Sequence, residues 1–188
     1  MAEIRLAAPG SGSGSPENAA SMLVLGGARS GKSAYAERMV LAAASHAFYL
    51  ATASAGDAEM SERIRQHRDR RGDAWTTIEE PVDLCGVLRR EARPERPILV
   101  DCLTLWLSNL MHQDADIAAE TARLTTLLPD LTGPVVFVSN EVGLGIVPDN
   151  ALAREFRDHA GRLNQAVAAA VDAVIFLAAG LPLQLKPR

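Results

Sequence analysis

The stretch Gly26-Gly27-Ala28-Arg29-Ser30-Gly31-Lys32-Ser33 restricts this chain more than any other part of it. It fits G-x-x-x-x-G-K-[ST], follows the apolar run Met22-Leu23-Val24-Leu25, and opens an Ala-rich helical stretch from Lys32 to Ala44. A loop that wraps phosphate oxygens must turn its backbone N–H groups inward, which needs glycine where a Cβ would collide or φ must be positive. In such a loop Lys32 reaches the β- and γ-phosphates and Ser33 holds Mg²⁺. A glycine turn without chemical meaning would not need this context, a strand ending at the first glycine and a helix starting at the lysine.

The rest of the chain repeats the pattern of short apolar run and longer helical segment. Strands are expected at Phe48–Ala51, Trp75–Ile78, Pro97–Asp101, Val135–Ser139 and Val174–Ala179. Helices are expected at about Ala58–Arg71, Val82–Arg90, Leu103–Met111, Ala118–Leu128 and Asn150–Val171. Such βα repeats imply a mostly parallel sheet covered on both faces. Gly180-Leu181-Pro182 suggests a turn into a last edge strand, Leu183–Lys186. The expected fold class is therefore α/β: a P-loop NTPase-like (RecA-like), mostly parallel sheet with helices on both faces and a C-terminal edge hairpin.

A chain of 188 residues makes one domain with at most a short appendage. Residues 1–20 contain Pro9-Gly10-Ser11-Gly12-Ser13-Gly14-Ser15-Pro16 and read as a flexible N-terminal extension outside the fold, leaving 21–188 as the domain. With 48% hydrophobic but only 4% aromatic residues, Ala, Leu and Val must fill the core. A net charge of -4 supplies no global field for nucleic acid or an anionic membrane, so an anionic ligand needs a local cluster. Cys85 and Cys102 make no disulfide framework and no C-x-x-C pair, which fits a reducing cytoplasm. The longest apolar stretches, around Met39–Ala53 and Ala166–Leu183, are interrupted by polar residues, and no integral membrane segment is expected.

Asp101 ends the apolar run Ile98-Leu99-Val100 and supplies the acid such a phosphate site needs, binding Mg²⁺ directly or through water; capping the next helix is its other reading. Cys102 beside it reads as a small buried hydrophobe. The most basic segment, Glu59 to Arg71, sets Arg63, His67 and Arg71 four residues apart on one helical face. Flanking guanidinium groups favour the neutral, nucleophilic imidazole and can neutralise a triphosphate. A solvated charged helix balanced by Glu59, Glu62, Asp69 and Asp73 is the alternative. Asn140-Glu141 stand at a strand end where parallel sheets bind ligands, and Glu141 would either orient a substrate hydroxyl or shape the loop. Arg154, Arg157, Arg162 and Asn164 on the following helix either contact a ligand or form a solvated face, and His46, His112 and His159 lack metal-ligand spacing.

Together, Gly26–Ser33, the Arg63-x-x-x-His67-x-x-x-Arg71 helix followed by Trp75 and Glu79, and Ser139-Asn140-Glu141-Val142-Gly143-Leu144-Gly145-Ile146-Val147-Pro148 resemble the bifunctional adenosylcobinamide kinase/adenosylcobinamide-phosphate guanylyltransferase family. The resemblance runs from about Met22 to Lys186. It implies phosphorylation of the hydroxyl of adenosylcobinamide by GTP or ATP. It also implies attack of a histidine on the α-phosphorus of GTP and transfer of the GMP to the cobinamide phosphate. The matching histidine is His67, with Lys32 the second catalytic residue. Carried over by position, the nucleotide contacts are Leu25, Gly26, Gly27, Ala28, Arg29, Ser30, Gly31, Lys32, Ser33, Leu50, Ala51, Thr52, Arg68, Asp69, Arg70, Arg71, Glu79 and Asp101, with Ser33 and Asp101 at the metal. The resemblance further implies a homotrimer. The motif alone is also compatible with a small-molecule kinase that transfers no nucleotide, or with a GTP-binding switch.

Overall fold

Strand β3 (Ser21–Gly26) is buried along its whole length and lies between two other strands of a seven-stranded sheet. The computed structural model describes residues 5–6, 18–53 and 72–186. The elements after β3 are α1 (Lys32–Ala43), β4 (Ala47–Ala51), β5 (Trp75–Glu79), α2 (Leu84–Glu91), β6 (Ile98–Asp101) and α3 (Leu103–His112). They continue with α4 (Ile117–Leu127), β7 (Val135–Asn140), α5 (Ala151–Ala170), β8 (Ala173–Ala178) and β9 (Leu181–Lys186). The sheet order is β5-β4-β6-β7-β3-β8-β9, parallel throughout except for the β8–β9 hairpin. The expected α/β architecture is thus the observed one, with the glycine loop leaving the middle of the sheet.

The period of two along each strand divides the core. Leu23 and Leu25 of β3 point with Val100 and Phe137 into the cluster that holds Leu88, Trp106, Leu124 and Leu163 of α2 to α5. Met22 and Val24 point with Leu99, Val136 and Val138 to the opposite side, against Ala36 and Val40 of α1. Strands buried on both faces lose the polar alternation of a surface strand, which is why these segments read as continuous apolar runs.

The ends of three elements depart from the sequence expectation. Helix α2 begins at Leu84 rather than Val82 because Asp83 is its N-cap, accepting the Gly86 N–H at 3.1 Å. The last turn is Ala179-Gly180, both at positive φ (51° and 81°), the conformation of a two-residue hairpin loop. Pro182 therefore lies within β9, tolerated on an edge strand that need not donate there. Within the segment read as an extension, β1 (Arg5–Leu6) pairs in parallel with β2 (Asn18–Ala19), and Leu6 is buried in the α1-side core. A leucine seated there is part of the packed structure. The helix expected over 58–71 lies outside the described residues. Among the described residues, no helix is long and apolar enough to cross a membrane.

Candidate active site

Because six strands run parallel, their C-terminal ends share one edge, and that edge gathers Gly26, Ala51, Glu79, Asp101 and Asn140. The glycine loop rises from β3 and enters α1 through Gly31 at φ 94°. Gly26 has no room for a side chain: a Cβ would stand 2.5 Å from Ser30 Oγ and 2.7 Å from the Leu177 carbonyl. Inside the loop Ser30 N–H donates to the Gly27 carbonyl at 3.3 Å, and Lys32 Nζ donates to the same oxygen at 3.1 Å. Lys32 is 9% exposed, so its ammonium is folded over the loop. No acidic residue occupies the first turn of α1, whose N–H groups and dipole favour an anion.

Two further contacts support the loop from outside. Glu141 N–H donates to the Gly26 carbonyl at 3.1 Å, and Gly180 N–H, in the β8–β9 turn, donates to the Ser30 carbonyl at 2.9 Å. Neither partner was expected from sequence, since each lies more than a hundred residues along the chain. Tyr49 was also missed: its hydroxyl donates to Asp101 Oδ2 at 2.6 Å. A tyrosine in an otherwise apolar strand was the available signal, because a buried phenol needs a partner for its tip.

Strands are spaced by about 4.8 Å, so Asp101, two strands from β3, lies about 10 Å along the edge from the loop, and Glu79, four strands away, about 19 Å. Asp101 thus stands beside the phosphate end and Glu79 well beyond it. Ser33 is half-buried on the first turn of α1. A hydroxyl and a single carboxylate, completed by phosphate oxygens and water, suit Mg²⁺, which keeps several waters and needs no all-protein cage. No group of three or more His, Cys, Asp or Glu capable of holding a metal exists among the described residues.

Two of the expected contacts face inward. Leu50 is fully buried in the core. Thr52 is also fully buried, and its groups are taken: Oγ1 accepts the Cys102 N–H at 2.8 Å and donates to the Cys102 carbonyl at 2.7 Å. Its N–H donates to the Asp101 carbonyl, and its own carbonyl accepts from Asn109 Nδ2. Thr52 is a strut between the ends of β4 and β6. Cys102 is as inert as expected, since burial, with the Asp101 carboxylate adding, pushes its thiol up to about 11. His67, Arg63 and Arg68 to Arg71 lie outside the described residues.

Glu141 folds back into its own loop, its Oε1 accepting the Gly143 N–H at 2.6 Å, and Arg154 holds the loop's far end through the carbonyls of Pro148 and Asp149. Leu144, Ile146 and Val147 on this loop are exposed. Next to its end a cavity of about 490 Å³ is lined by Ser108, Met111 and His112 of α3 and Asn150, Leu152, Ala153 and Phe156.

A glycine loop with its lysine between a central parallel strand and a helix, and an acid two strands away, define a P-loop nucleotide-binding protein. The fold agrees with a type III secretion system ATPase of pathogenic bacteria, at a TM-score of 0.53 and 11% identity over 87% of this chain and 56% of that one. A family model described as cobinamide kinase / cobinamide phosphate guanyltransferase matches residues 22–185, and the chain belongs to that family. It is 49% identical to the bifunctional adenosylcobalamin biosynthesis protein CobP of Pseudomonas aeruginosa, over 87% of this chain and 96% of the relative. It is 38% identical to the corresponding CobU of Escherichia coli, over 88% of this chain and 99% of the relative.

Proposed function

We propose that the protein phosphorylates the hydroxyl of adenosylcobinamide with GTP or ATP, and then transfers GMP from GTP to the adenosylcobinamide phosphate, releasing pyrophosphate. The observation that carries the reading is the loop at Gly26–Ser33, seated in mid-sheet with Lys32 folded over it, in a chain of this family. The loop's amides and Lys32 hold the β- and γ-phosphates. In the kinase step they stabilise charge on the transferring group. In the guanylyl step they hold the pyrophosphate that leaves as His67 attacks the α-phosphorus and takes the GMP as a phosphoramidate. The cobinamide phosphate then displaces the histidine. Ser33 and Asp101, together with the nucleotide, would hold Mg²⁺, which when bound would supply charge neutralisation at the phosphates. Ala51 and Glu79 serve the part of the nucleotide beyond the phosphates, and the arginines beside His67 neutralise the triphosphate under attack. The working form is a cytoplasmic homotrimer, which sedimentation equilibrium tests.

GTP labelled at the α-phosphate leaves an acid-labile label on the protein that a chase with adenosylcobinamide phosphate removes, whereas γ-labelled GTP leaves no guanylyl adduct. Label retained after His67→Ala would remove the histidine from its role. Transfer of γ-phosphate without any GMP adduct would make the protein a kinase alone, and GTP binding without either product would make it a switch.

A further inference from the structure

The backbone of Asn140, at the end of β7, is gripped from two helices. Its N–H donates at 2.7 Å to Thr104 Oγ1 on α3, and its carbonyl accepts at 3.1 Å from Asn164 Nδ2 on α5. Both side chains are buried, Thr104 at 8% exposure and Asn164 at 6%, so Asn164 is not part of a solvated helix face. The next N–H along the chain, that of Glu141, holds the Gly26 carbonyl where the phosphate loop begins. Two consecutive peptides, Ser139–Asn140 and Asn140–Glu141, thus tie α3, α5 and the 141–150 loop to the first glycine of the nucleotide site.

We propose that Thr104 and Asn164 are positioning residues: they hold the two peptides on either side of Asn140, and through them the Glu141 loop, against the phosphate loop. Stability does not account for Asn164. Its Nδ2 makes one hydrogen bond, which fixes the amide's orientation, while Oδ1 is buried without a partner among the described residues. Asn140 Oδ1 is in the same condition. A net gain from one bond is offset by a buried acceptor left unmade, so an apolar side chain of similar shape would serve the core as well. What such a side chain would not do is fix a carbonyl at a strand end. Position matters there because displacements of about 1 Å near reacting groups cost on the order of a hundredfold in rate.

The kinetic part of this inference rests on the function proposed above, and the test separates the two. In Asn164→Leu and Thr104→Val, each of which strips one Asn140 backbone group of its partner, melting temperature falls modestly with the fold kept, and kcat falls about tenfold to a hundredfold in both half-reactions. KM for GTP stays within about threefold, because the loop amides and Lys32 remain. Thr104→Ser, which keeps the hydroxyl, restores kcat. In the same variants, amide hydrogen exchange at Asn140 and Glu141 accelerates, except in Thr104→Ser. Unchanged kcat with unchanged exchange overturns the proposal, as does a Thr104→Ser variant no better than Thr104→Val. Should Asn164→Leu fail to fold, the Thr104 pair decides. An unmutated protein that makes neither product overturns the proposed function, and the exchange rates then decide the positioning claim alone.

Discussion

In the function proposed above Lys32 serves both reactions from one place, so Lys32→Ala should lower kcat for phosphoryl and guanylyl transfer together, each by about a hundredfold or more. Separate assays with adenosylcobinamide and with its phosphate check this. Gly26 is confined from two sides, by Ser30 Oγ and by the Leu177 carbonyl, and the second is backbone that cannot swing away. Gly26→Ala should therefore cost about 1–3 kcal/mol of stability and weaken GTP binding, measurable by denaturant melts and by titration. The two thiols make a pH prediction. Burial pushes Cys85 and Cys102 up to about 11 from an ordinary value of 9.0, so both stay neutral in the fold while the unfolded chain ionises first. Their contribution to stability is complete below pH 9 and is lost as pH rises toward 11. Melting temperatures across that range should fall less steeply in a Cys85→Ala/Cys102→Ala protein, and neither native thiol should react with iodoacetamide at pH 8.

At the scale of elements, the β8–β9 hairpin connects the end of the chain to the phosphate loop. Gly180 has open space where a Cβ would stand but a φ of 81°, so Gly180→Ala strains the turn by about 1–2 kcal/mol. Its N–H then shifts from the Ser30 carbonyl, and KM for GTP should rise while kcat changes less. This contact also marks what sequence reading reaches. Strand β3, the loop and α1 were legible because the glycines, the lysine and the helical stretch are contiguous. Asp101 was legible because an acid ending an apolar strand is a local pattern. The grip on Asn140 and the support from Gly180 were not, since sheet order and helix placement bring those residues together. The bonds of Thr52 were not legible for the same reason: position along a strand does not reveal which polar groups tie its end to the next strand.

At the scale of the molecule, the sheet is closed over long sequence distances. Strand β3 pairs with β7 and β8, and Asp172 at the start of β8 accepts from Ala20 N–H, Ser21 N–H and Ser21 Oγ. Asp172→Ala should lower stability by about 1–2 kcal/mol, read from urea melts, while leaving KM for GTP nearly unchanged because the bond lies at the opposite end of β3.

The tether of Ser30 to Gly180 has a consequence for synthesis. The ribosome delivers the glycine loop early, yet both strands that flank β3 and the turn that supports Ser30 emerge much later. The Ser30 carbonyl therefore gains its outside partner only once β8 and β9 have paired, long after the glycine loop itself has been made.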